Sequence, residues 1–288
     1  MSPSRRASLA WLALTDAPLR VGGDMPPDNR LIEVRTGRSI TRAELLNALR
    51  ASDFVLLGEQ HDNPHHHARR AELLRALVPG TAVVAEHLPR GSRVAFGPDL
   101  LASLSAAGFE PQAWGWPLHR PLFAALAERG LPLSGGNLPR DDARRIAREG
   151  QAALPPDIAA LLQAAGPLPP VARAALDADL VQGHCGHLSA GPRLDGLRWA
   201  QRARDASMAL ALQASGGAPA VLLAGNGHVR QDYGVAPLLA ARQPGARIVS
   251  VGFTEPGDAS DNAPFTYLWV TPAVSRDDPC KGFAMPQR

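Results

Sequence analysis

Lysine is almost absent from this sequence: among 30 basic side chains, Lys281 is the only lysine. The arginines that supply the rest are scattered, so the net charge of +3 builds no basic stripe and a nucleic-acid partner is not expected. Tyrosine is scarce as well, with Tyr233 and Tyr267 the only two. The two cysteines, Cys185 and Cys280, form neither a zinc-ligand pattern nor a disulfide framework, although one bridge between them is open to the chain. No apolar run approaches the roughly 20 residues that span a bilayer, so no integral membrane segment is expected. Arg5 and Arg6 precede an apolar stretch too short for a secretory signal, and no cysteine near the start offers a lipid anchor. Glycine-rich phosphate loops, the GxSxG nucleophile elbow and the HExxH zinc helix are all missing, which removes three common α/β enzyme classes.

What the chain does have is a hydrophobic content of 45%, ample for a sizeable core, and four short apolar runs that each finish on polar residues. Residues 54–58 run into Glu59 and His61, residues 81–85 into Glu86 and His87, residues 131–136 into Asn137, and residues 221–225 into Asn226 and His228. Apolar runs without alternation suit strands of a parallel sheet covered on both faces, and such sheets build their sites at the carboxyl edge. The spacing therefore predicts an α/β fold, a central, mainly parallel sheet flanked by helices. The polar run endings should meet in one crevice.

Thr41 and Glu44 form a capping-box pattern ahead of Leu45, Leu46 and Leu49, and Asn63-Pro64 supplies a cap and first-turn proline for a second helix. From about 139 to 215 only helix patterns occur, broken at prolines, which reads as a helical insertion or cap. The sheet resumes with runs at 219–225, 247–253 and 266–270. Residues 1–30 read as a flexible arm, 31–275 as one α/β domain carrying the insertion, and 276–288 as a tail.

A carboxylate and an imidazole in one tight loop, as at Glu59 and His61, can bind a metal, polarise a water or simply cap a helix. Glu86-His87 repeats that pairing. Of His65, His66 and His67, one or two can face the crevice, since consecutive helical residues spread by about 100°; His66 is the first choice and His67 the second. His228 is flanked by Gly225 and Gly227, which permit close approach of a ligand. His184 and His187 sit in a turn of the insertion, Arg204-Asp205 reads as a solvated intrahelical pair, and His119-Arg120 as an ordinary helix start. Tyr233 is either packed at a helix start or a ligand.

Taken as an ordered set, residues 56–67, 84–86, 136–140, 204–209 and 223–235 resemble the ChaN family, haem-binding, iron-regulated bacterial proteins of a wider group that includes the TraB, Tiki and erythromycin-esterase-like proteins. The resemblance implies an α/β fold that holds haem as a stacked pair between two protomers, and hence a homodimer. It also implies a tyrosinate iron ligand, for which Tyr233 is better placed by the motif, with His228 or His66 hydrogen-bonding or replacing it. Tyrosinate is an anionic donor suited to ferric haem.

Two readings follow. In the first the chain is a haem-binding protein of iron uptake or handling that performs no reaction. Tyr233, His228, His66, Glu59, His61, Asn137 and Arg140 then line the haem site, Trp114, Trp116 and Phe123 contact its plane, and Arg120 or Arg140 meets the propionates. In the second it is a hydrolase in which Glu59, His61, Glu86 and His228 bind a divalent metal or act as general base, with Asn137 or Arg140 stabilising an oxyanion. The compartment, bacterial cytoplasm or periplasm and cell envelope, stays open.

Overall fold

The computed structural model describes residues 29–257, 262–278 and 280–281. Most of the arm expected over residues 1–30 and most of the tail expected over 276–288 therefore lie outside the described residues. In chain order the elements are β1 (Leu31–Glu33), β2 (Arg38–Ser39), α1 (Arg42–Arg50), β3 (Phe54–Leu57), α2 (Pro64–Ala76), β4 (Ala82–Pro89), α3 (Leu100–Ala106), α4 (Arg120–Arg129) and β5 (Leu133–Asn137). There follow α5 (Arg140–Glu149), α6 (Pro156–Ala165), α7 (Pro170–Gly183), α8 (Pro192–Ala214), β6 (Ala220–Leu223), α9 (Val235–Arg242), β7 (Ile248–Thr254) and β8 (Tyr267–Val270).

The strands form one eight-stranded sheet in the order β2-β1-β8-β7-β3-β6-β4-β5. From β8 to β5 every neighbour is parallel; β1 pairs antiparallel with β8 and β2. Every residue of β3 and β6 is buried, as expected of unalternating apolar runs with helices on both faces. One face carries α1 to α4, with Leu45, Leu49, Leu73, Leu74 and Phe123 packed on Val55, Leu57, Val83 and Val221. The other carries α5, α6, α8 and α9, with Ile146, Leu161, Met208 and Leu239 packed on Leu56, Val84 and Leu222. Of the helices in the expected insertion, α5, α6 and α8 thus form a layer on the sheet, while α7 packs on α8.

Both capping predictions are met in detail. Thr41 accepts from the Glu44 N–H at 3.2 Å and Glu44 reaches back to the Thr41 N–H at 2.7 Å. The Asn63 side chain accepts from the His65 N–H at 2.9 Å. The turn after α7 that carries His184 and His187 serves as an anchor: Cys185 is disulfide-bonded to Cys280 across 95 residues of sequence. Arg276, counted with the tail, pairs with Asp62 at 2.5 Å and Glu255 at 2.6 Å.

Candidate functional site

Because β3, β6, β4 and β5 are successive neighbours, their carboxyl ends lie side by side. Two links bind the ends together: Asn226 N–H donates to the Glu59 carbonyl at 2.9 Å and Gly225 N–H to the Glu86 carboxylate at 2.8 Å. Glycines at 58 and 225 leave room for this approach. A Cβ on Gly58 would lie 2.1 Å from Asn226 Oδ1, and one on Gly225 2.9 Å from His61 Nε2.

The register of β4 shifts between Ala85 and Pro89, releasing Glu86 and His87 from the ladder. Successive strand residues point to opposite faces, so the adjacent Glu86 and His87 enter different clusters.

On the face of α1 to α4, one carboxylate sits in a nest of imidazoles. Glu59 Oε1 is 2.6 Å from His61 Nδ1, 3.1 Å from His87 Nε2 and 3.6 Å from His119 Nε2. Its other oxygen meets His67 Nδ1 at 3.0 Å and forms an ion pair with Arg70. Glu59, His67, Arg70, His87 and His119 are all buried, and only His61 reaches solvent, its side chain 47% exposed. Burial, reinforced by Arg70 and the neighbouring rings, holds His87 and His119 far below the usual imidazole pKa, hence uncharged. Burial likewise lowers His67 to about 4 and Arg70 to about 9. The two nitrogens of His119 and Nδ1 of His87 have no hydrogen-bond partner.

On the opposite face, one imidazole sits between two carboxylates. His228 Nδ1 donates to Asp205 at 2.6 Å, and Nε2 lies 3.3 Å from Glu86. Burial opposes a charge on His228, but Glu86 and Asp205 together outweigh it and raise the pKa to about 10. Burial similarly pushes Asp205 up to about 6 against the pull of His228. For Glu86 the charge and hydrogen bond of His228, helped by His61 and the Gly225 N–H, overcome burial and hold the group well below the carboxylate range.

Beside the two clusters opens a cleft of about 340 Å³, walled by Glu86, His87, Trp114 and Asn137, with Arg140 and Arg204 among its lining residues. The Trp114 ring packs 4.5 Å from His87 and 5.2 Å from His61. Asn137 Oδ1 is buried without a partner, and Arg140 pairs loosely with Glu110 at 3.4 Å.

Among the residues singled out in the sequence, Glu59, His61, Glu86, Asn137, Arg140, Trp114 and His228 therefore gather at one sheet edge. His67 and His87 join them, whereas His66, Tyr233, Trp116 and Arg120 lie apart. His66 is buried beside Phe253 at 5.8 Å, its Nδ1 accepting the Gln60 N–H at 2.9 Å, and burial lowers it to about 4. Tyr233 is buried under α7; its hydroxyl donates to Asp179, Arg230 lies 4.5 Å over the ring, and burial together with Asp179 raises the phenol's pKa. Trp116 and Arg120 line a separate groove, and Phe123 is core.

Three residues were missed. Asp205 is buried against His228 and does not face water, His119 is a fully buried neighbour of Glu59 where the sequence suggested an ordinary helix start, and Arg70, a fully buried partner of Glu59, drew no reading at all.

Comparison with known proteins agrees with this architecture. The structure of ChaN of Campylobacter jejuni, a protein described by its cofacial haem binding, superposes with a TM-score of 0.68 at 18% identity, covering 84% of this chain and 96% of that one. The type III effector HopBA1 is more distant, with a TM-score of 0.42 at 16% identity over 79% of this chain and 91% of that one. No curated protein matches the chain. The family model described as "Haem-binding uptake, Tiki superfamily, ChaN" matches residues 45–239, which contain both clusters and the cleft, and the chain accordingly belongs to that family.

Proposed function

We propose that this chain binds haem in the cleft beside Glu86, His87 and Trp114 and serves bacterial haem or iron uptake or handling without catalysing a reaction. The observation that carries the reading is the make-up of that cleft. A flat indole wall suits a porphyrin face, and the Arg140 and Arg204 guanidiniums suit propionate carboxylates, so the residues present fit the group. The volume of about 340 Å³ lies at the small end of ligand sites, in keeping with a haem only partly enclosed by one protomer and completed by a second copy. Bound haem would supply an iron centre with axial positions to be filled from the protein.

Asn137 and Arg140 line that cleft, His61 packs on its Trp114 wall, Glu59 and His228 stand in the clusters beside it, and His66 and Tyr233 lie outside it. Hemin titration of the purified chain should give a saturable Soret shift, with mass doubling in sedimentation if two protomers share the haems. Absence of a saturable shift overturns the proposal. The iron ligand is read from the ferric spectra of two variants: a change in His61→Ala assigns the solvent-reaching imidazole beside Trp114, whereas a change in Tyr233→Phe would require the phenol to leave Asp179.

A second reading, hydrolysis, is favoured by one observation, the contact of His228 with a buried aspartate, the arrangement that orients a catalytic imidazole. Glu59, His61 and Glu86 would join it around a divalent metal or water. Metal-dependent hydrolysis of ester or peptide substrates, with no Soret shift, would establish this reading instead.

A further inference from the structure

Glu59 Oε1 is encircled by imidazole nitrogens at 2.6, 3.1 and 3.6 Å, from His61, His87 and His119. One donor atom from each of these four residues falls within 4.8 Å of every other. Zinc binds nitrogen and carboxylate oxygen at about 2.0–2.2 Å, which sets the donors of a tetrahedral site about 3.3 Å apart, in the middle of the observed spacings.

Hydrogen bonding alone does not account for the nest. His61 and His87 can each donate to Glu59, but both nitrogens of His119 lack a partner although the residue is fully buried. An imidazole sealed away in that condition forgoes the hydrogen bonds that water would give its N–H and its lone pair. A cation at the centre of the four donors would take up the Nε2 lone pairs of His87 and His119. The support around the nest has the form that metal carboxylates require: the Arg70 guanidinium holds Glu59 Oε2, reaches His67 Nδ1 as well, and leaves Oε1 as a single donor turned towards the imidazoles. The partly exposed His61 sits where an ion would enter.

We propose that Glu59, His61, His87 and His119 form a site for an imidazole-favouring divalent transition ion of the zinc type. It lies on the face of the sheet opposite His228 and gives His119 a role the haem reading does not; His61 and His87 also border the haem cleft, so zinc and hemin titrations run in parallel tell the two readings apart.

The test uses the purified, untagged full chain, stripped with a chelator and titrated with Zn²⁺ against a competing dye. One ion per chain is expected, and His119→Gln should weaken binding by more than about 100-fold, because loss of even an outer-shell partner weakens metal sites by 10–100-fold. His65→Ala, which alters the exposed neighbouring histidine, should change nothing. X-ray absorption at the zinc edge of the wild-type protein should show a four-coordinate ion with imidazole scattering, a readout that stands even if His119→Gln fails to fold. Zinc taken up only non-stoichiometrically, unchanged affinity in His119→Gln, loss of binding in His65→Ala, or a spectrum without imidazole ligands would each overturn the proposal. Hemin titration of His119→Gln, run in parallel, reports on the haem reading separately.

Discussion

Glu86 and His87 are adjacent in the chain, yet they enter two clusters of inverse composition. On one side of the sheet edge a single carboxylate, already neutralised by Arg70, is surrounded by imidazoles; on the other a single imidazole is held by two carboxylates. In the first the histidines have no net negative charge to stabilise a proton, and burial leaves them neutral. In the second, two acids outweigh burial and make His228 a cation. The protonation state of a buried histidine is thus set by the ratio of acids to bases around it, and strand alternation decides which ratio each residue meets.

The comparison can be broken most forcefully at Glu59. Glu59→Leu leaves Arg70 buried without its counter-charge and should cost about 3–5 kcal/mol in urea unfolding, whereas the double variant with Arg70→Met should recover most of that loss. A smaller effect is expected from His228. Its folded pKa of about 10 exceeds the ordinary 6.5, so the stabilisation it provides is complete below pH 6.5 and is lost as the pH rises towards 10. The carboxylates are already ionised over most of that window, so a decline of about 3 kcal/mol, abolished in His228→Gln, would isolate the imidazolium. A flat wild-type profile would show that the ring is neutral. Gly225 touches both clusters, and Gly225→Ala should cost about 1–3 kcal/mol by pressing a methyl onto His61. The mildest change is Tyr233→Phe, which removes one hydrogen bond to Asp179 and should cost about 1 kcal/mol in the haem-free protein.

The sheet core and the polar strand endings were legible because unalternating apolar runs and their terminal residues are local features. So were the two helix caps. β1, β2 and α3 escaped notice because segments of two to seven residues carry too little periodicity. Arg70, His119 and Asp205 were missed for a different reason, although the signal was present. Arg70 precedes Leu73, Leu74 and Leu77 at intervals of three, four and seven; Asp205 precedes Met208, Ala209 and Leu212 in the same way, and His119 stands three and four before Leu122 and Phe123. Each polar residue therefore lies on the buried stripe of its own helix. A charge on an apolar stripe needs a buried partner, but which strand end provides it is decided by tertiary packing, 11 residues away for Arg70 and 60 for His119.

The Cys185–Cys280 bond gives the chain a dependence on the redox state of its surroundings. Thiols pair durably in oxidising compartments and stay reduced in the cytosol. In the periplasm the segment carrying Arg276 would be fastened covalently to the end of α7, whereas in the cytoplasm its salt bridges to Asp62 and Glu255 would have to hold it unaided.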